Sequence, residues 1–133
     1  MMLKSKADLK PYSSVGKSPD LKGKWTNELG ATMEIQSSGG GKFAGQYTSA
    51  VSAGGNPVSG SLSGVYGGDA ISFVVTWQPT YNSTTSWSGL ILADDSDRLH
   101  LYTLWHLAET PDKPSDWWES ILAGSDRFWK LGP

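Results

Sequence analysis

Two stretches of the chain alternate with a period of two: Ile71, Phe73, Val75 and Trp77 fall on one side of one run, and Leu99, Leu101, Thr103, Trp105 and Leu107 on one side of another. That period belongs to a β-strand with one buried face, and a slip of one residue would turn every buried side chain outward. From Leu21 onward, short β-prone runs of this kind recur between clusters of Gly, Ser, Asn and Asp, which is the pattern of a sandwich or barrel. Eight strands are predicted: Gly23–Glu28, Thr32–Gln36, Lys42–Ser49, Gly60–Tyr66, Ala70–Gln78, Thr84–Leu92, Arg98–Leu107 and Ile121–Leu131. The connections "SSGGG", "YGGD" and "ADDSD" are short, so sequence neighbours should be antiparallel neighbours in space. The predicted fold is therefore all-β, an eight-stranded antiparallel up-and-down β-barrel over residues 21–133, preceded by a flexible N-terminal tail over residues 1–20. The one helical candidate is "PDKPSDWWES", where Pro114 would open a turn and Ser115 or Asp116 would cap it.

Composition narrows the function classes. With no cysteine, the 133-residue chain has neither a disulfide framework nor thiolate chemistry, and its net charge of −2 argues against a nucleic-acid surface. It contains no apolar run of the roughly 18 residues that a membrane-crossing helix needs. The N-terminus has lysines but no apolar core of an intact secretory signal.

The inward parity does not describe a simple core. At one end of the strands it collects aliphatic and Phe side chains; at the other it collects Trp77, Trp87, Trp105 and Tyr47 with Asn27, Ser49, Ser83, Thr85 and Asp126. Unpaired polar groups in a dry interior cost about 1–3 kcal/mol each. So many of them beside tryptophans point to a small-molecule pocket, which needs apolar walls and a few convergent polar groups.

The runs "GKWTNELGATM", "GQYTSAV", "VTWQPTYNSTTSWSG", "LYTLWHL" and "WWESILAGSDRF" resemble, in order and spacing, the avidin and streptavidin family. The resemblance covers about Leu21 to Pro133, and eight-stranded barrels of this kind that hold one ligand are a known architecture, with streptavidin among the examples. It implies a noncatalytic protein that binds biotin in the open end of a barrel, with no cofactor and no metal. It assigns Asn27 and Tyr47 to the ureido oxygen of biotin, and Ser49 and Asp126 to its N–H groups. Thr85 would meet the thioether sulfur and Ser83 the valerate carboxylate, with Trp77, Trp87, Trp105 and Leu107 as walls. Val51 and the loop Ser52–Gly60 would lie over the ligand. Trp118, eight residues before Asp126, would close the site of a neighbouring subunit. The resemblance further implies a homo-oligomer, commonly a tetramer, that sequesters biotin, touches no nucleic acid or membrane, and is secreted. The N-terminus itself leaves a cytoplasmic location open.

One position departs from the family pattern. Ala31 stands where the family usually has a serine donating to the ureido oxygen, and one missing donor should weaken binding by about 5- to 150-fold. The competing reading is a carbohydrate-binding β-sandwich module, which would set its tryptophans on an exposed face. Other signals are weak: the sequon at Asn82 would crowd the pocket mouth if glycosylated, "GGGK" at Gly39–Lys42 is a hairpin turn, and His100 and His106 have outward parity without apparent partners. Asp126 likewise has no inward carboxylate to pair with for acid–base chemistry.

Overall fold

The computed structural model describes residues 8–50, 56–78 and 82–132. Its strands are β1 (Lys10–Pro11), β2 (Gly23–Asn27), β3 (Thr32–Gly39), β4 (Lys42–Thr48), β5 (Ser59–Gly67), β6 (Ala70–Trp77), β7 (Ser83–Ala93), β8 (Leu99–Glu109) and β9 (Ile121–Lys130). Strands β2 to β9 run antiparallel in chain order, and β9 closes the barrel by pairing with both β2 and β8. The eight predicted strands are all present, with β3 and β8 reaching further than expected, to Gly39 and Glu109. Short reversals hold neighbours in register; at the β3–β4 hairpin Gly40 and Gly41 both adopt positive φ, 64° and 80°, which the twist of a two-residue hairpin demands.

The barrel interior sorts as the alternation predicted. Trp25, Met33, Ile35, Phe43, Leu62, Ile71, Phe73, Val75, Ile91, Leu101 and Phe128 are buried in one cluster. The opposite parity leaves Val65, Val74, Leu90 and Leu104 exposed on the outside. Strand parity continued past the closed part would also turn Leu29 and Leu122 inward, but both are exposed: Leu29 follows the end of β2, and Leu122 lies near the start of β9, where β2 no longer pairs with it.

Part of the segment read as a flexible tail carries structure. β7 runs past the last β6 pair, Ala70 with Leu90, and β1 takes over that edge by pairing Pro11 with Leu92 and Lys10 with Ala93. Proline suits this place because an outer strand leaves its missing N–H unneeded. A 3₁₀ turn over Tyr12–Val15 follows, with Tyr12 buried, and Ser13 donates both its backbone N–H and its hydroxyl to the Asp69 carboxylate at 2.7 and 2.6 Å. Leu21 is fully buried and its carbonyl accepts the Trp25 indole N–H at 2.9 Å. Residues 10–21 thus close the end of the barrel where the aliphatic core lies.

His100 corrects a second expectation. Its outward parity holds, but it is 4% exposed and its Nε2 lies 2.9 Å from Asp94 Oδ2. The reason is the reversal between β7 and β8, which folds Asp94 back toward the strand: Asp94 Oδ1 accepts the backbone N–H groups of Ser96 and Arg98. Burial alone would raise the Asp94 pKa, but the bonds from His100, Arg98 and Ser96 together hold it below the usual value. His106 is exposed, as expected. The "PDKPSDWWES" candidate forms a 3₁₀ helix over Pro114–Ser120 that opens on Pro114, but its N-cap is Lys113, with no side-chain cap.

Candidate functional site

The polar inward residues gather at the end of the barrel away from Tyr12 and Leu21. Asn27 ends β2, Tyr47 lies near the end of β4, Trp77 ends β6, Thr85 and Trp87 lie near the start of β7, and Trp105 and Leu107 near the end of β8. Register then places Thr85 opposite Leu107, Trp87 opposite Trp105, and Thr103 opposite Asp126. Residues far apart in sequence face one another because each strand reverses direction.

Asn27 is oriented by its own turn. Its side-chain oxygen accepts the backbone N–H groups of Leu29 and Ala31 at 3.1 and 2.9 Å, a local pattern typical of Asn at the end of a strand. With the oxygen so engaged, the amide nitrogen must be the end that points inward, and it lies 3.4 Å from the Tyr47 hydroxyl. Ala31 is buried and contributes only backbone groups: its carbonyl accepts the Thr26 hydroxyl at 2.8 Å.

Tyr47 and Trp87 form an aromatic floor. Trp87 is sandwiched between Phe73, with ring centres 4.9 Å apart, and Tyr47, at 5.0 Å, while Trp77 meets the Tyr47 ring edge-on at 5.5 Å. Such pairs add about 0.5–1.5 kcal/mol each beyond their buried area, so the floor is stiff. Trp77 and Trp105 are half-buried and form walls above it; Gly124 lets Trp105 lie close to β9, since a Cβ there would approach the indole to 2.5 Å. Burial and then the negative charges of Asp126 and Glu28 push the Tyr47 phenol well above its ordinary pKa, which keeps it a hydrogen-bond donor.

Three acceptors complete the set. Thr85 Oγ1 accepts the Trp77 indole N–H at 2.8 Å, which leaves its own proton free to point elsewhere. Ser49 is half-buried and its hydroxyl accepts the Val58 N–H at 3.1 Å, with one lone pair remaining. Asp126 is 5% exposed; its Oδ2 accepts the Trp87 indole N–H at 2.8 Å, while its Oδ1 is buried and, among the described residues, has no partner. Thr103 holds the backbone at this point by donating to the Asp126 carbonyl at 2.9 Å. Burial pushes the Asp126 pKa up to about 6; the Trp87 N–H opposes this and the Glu28 carboxylate reinforces it.

The sequence-predicted site residues therefore divide. Asn27, Tyr47, Trp77, Thr85, Trp87 and Asp126 are joined by the contacts above, and Trp105 and Leu107 flank them. Ser49 and Ser83 are half-buried toward the rim, and Val51 lies outside the described residues. Trp118 is not part of this chain's own pocket: it is 63% exposed beside Trp117, which is 62% exposed. Sequence reasoning missed Glu28. It is exposed, yet its Oε2 accepts the Arg127 backbone N–H at 2.9 Å, which sets a second carboxylate beside Asp126. Its position directly after Asn27, with β2 known to meet β9, was the signal that could have found it.

A separate concavity of about 730 Å³ lies on the outside of β3 to β7, lined by serines, Val65, Val74 and Lys42. Among the described residues, no buried side-chain polar atom without a partner faces it, so it does not compete with the interior as a site.

A closed antiparallel barrel with a polar, tryptophan-walled interior at one end defines a small-ligand-binding barrel. The chain belongs to the Avidin family, whose sequence profile matches residues 15–131. It is similar to avidin of Gallus gallus, 32% identical over 119 residues that cover 84% of this chain and 78% of that protein. Avidin-related protein 3 of Gallus gallus is 33% identical over 138 residues, covering 96% and 88%. Among solved structures, a biotin binding protein from chicken superposes with a TM-score of 0.75 at 30% identity, covering 85% of this chain and 97% of that one. Xenavidin gives 0.75 at 28% identity, covering 86% and 100%. The family is one of non-catalytic binding proteins, and the chain is not an enzyme.

Proposed function

We propose that the chain binds biotin in the polar end of its barrel. The observation that carries this reading is the buried Asp126 Oδ1, unpartnered among the described residues, facing the same space as the Asn27 amide and the Tyr47 hydroxyl. A ureido group presents one strong acceptor and two donors in a plane, and it needs what these residues offer: donors on one side, acceptors on the other. Asn27 and Tyr47 donate to the ureido oxygen, while Ser49 and Asp126 accept from the N–H groups, the latter through a charge-assisted bond worth about 1.5–3 kcal/mol. Thr85 supplies its hydroxyl proton to the thioether, Ser83 meets the carboxylate at the rim, and Trp77, Trp87, Trp105 and Leu107 exclude water.

The floor side chains are held by one another, through the Phe73–Trp87–Tyr47 ring contacts and the Trp87–Asp126 hydrogen bond, so little ordering is lost on association. Inward-turned Trp77, Trp87 and Trp105 support this reading over a carbohydrate platform. Val74, Leu90 and Leu104 on the outer face, with Trp117 and Trp118 exposed on their 3₁₀ helix, support assembly into a tetramer in which Trp118 covers a neighbour's ligand. Calorimetric titration with biotin at pH 7, beside a tryptophan-fluorescence titration, tests the proposal. Saturable binding at one site per chain is expected, and absence of heat and quenching at micromolar biotin would end it.

A further inference from the structure

Glu28 leaves β2 immediately after Asn27 and turns toward β9. There its Oε2 accepts the Arg127 backbone N–H at 2.9 Å, so the carboxylate sits on the peptide unit that follows Asp126. Asp126 is surrounded by neutral groups on its other sides: the Trp87 indole N–H from β7 on Oδ2, the Thr103 hydroxyl from β8 on its carbonyl, and the protonated Tyr47 phenol from β4. The nearest cation by sequence, Arg127, turns to Tyr102, its guanidinium 4.6 Å from the ring centre and its Nη2 3.1 Å from the hydroxyl. A buried carboxylate with neutral neighbours and a second carboxylate at its side takes up a proton more easily than one alone in water, and here the buried one is Asp126.

We propose that Glu28 is a positioning residue of the ligand site that makes capture of a ureido ligand depend on proton concentration, by opposing the negative charge that Asp126 must carry to accept the ligand's N–H. This rests on the biotin reading of the site. The charge of Asp126 is present above its raised pKa of about 6 and is lost as the pH falls through it. Binding that prefers the ionised form then weakens about tenfold from pH 7 to pH 5, and replacing Glu28 by a neutral side chain moves the loss to lower pH. Glu28→Gln keeps an oxygen for the Arg127 N–H and removes only the charge.

Two measurements on the full chain decide the matter. In ligand-free, ¹⁵N-labelled protein, the Trp87 indole resonance, assigned by its loss in Trp87→Phe, is followed from pH 8 to pH 4 as a reporter of Asp126. A midpoint near 6 that falls in Glu28→Gln supports the proposal; an identical midpoint in both proteins overturns it. Biotin dissociation constants across the same range should weaken with falling pH in the parent chain and less so in Glu28→Gln, and parallel profiles would overturn the link to binding. If neither protein binds biotin at pH 8, the ligand reading fails, whereas the indole titration still decides whether Glu28 governs Asp126.

Discussion

The two ends of the barrel bury carboxylates in opposite ways. At the closed end Asp94 spends both oxygens within the chain, on His100, Ser96 and Arg98, and its pKa is lowered. At the open end Asp126 spends one oxygen on Trp87, keeps the other unpartnered among the described residues, and its pKa is raised. A buried polar group that is satisfied supports the fold, while one left unsatisfied lowers stability and is available to a ligand. One end is built for stability, the other for binding.

The sharpest way to break this contrast is Asp126→Ala. Biotin affinity should fall by about 10- to 150-fold, the worth of one charge-assisted bond, while thermal stability at pH 7 rises because the burial cost of a half-satisfied carboxylate, larger than the gain from its one bond to Trp87, has gone. Calorimetry and a melting curve on the same sample check both signs. Asp94→Ala should do the reverse, lowering stability by about 1–3 kcal/mol by stranding His100 and two backbone donors, with the dissociation constant unchanged.

Their pH dependences also oppose. Stability from Asp94 is present above its unfolded pKa and is lost as the pH falls through the lower folded value; that from Asp126 is present below its unfolded pKa and is lost as the pH rises through about 6. Denaturant midpoints measured from pH 3 to pH 8 in each variant should therefore lose opposite limbs of the parent profile.

A finer test adds to the open end rather than removing from it. Ala31→Ser should slow biotin dissociation by about 5- to 150-fold by supplying a third donor, read from competition with excess ligand. The smallest effects are expected outside the barrel: Trp118→Ala should weaken both ligand binding and subunit association, and Trp117→Ala should change neither, as seen by sedimentation with and without biotin.

Much of this contrast was legible in the sequence because strand alternation is a strict geometric signal. Parity alone placed Tyr47, Thr85, Trp87 and Asp126 inside and Val74, Leu90 and Leu104 outside. Parity reports which face a residue takes, however, and not what covers that face. His100 lies outward and is nonetheless buried, because a turn six residues earlier folds Asp94 against it. Glu28 was hidden for a related reason, since its partner is a backbone N–H 99 residues away. Lys10–Pro11 is too short to show any period, and a proline rarely advertises a strand.

The Asn27 turn has a consequence for how the molecule is made. Its hydrogen bonds span two and four residues, so they cost little loop-closure entropy and can form with the β2–β3 hairpin alone. Asp126 rides on β9, whose pairing with β2 joins opposite ends of the chain. The donor half of the cavity is thus within reach early in folding, and the acceptor half arrives with the last and most distant pairing. Ligand capture during refolding should therefore report the final closure step and nothing before it.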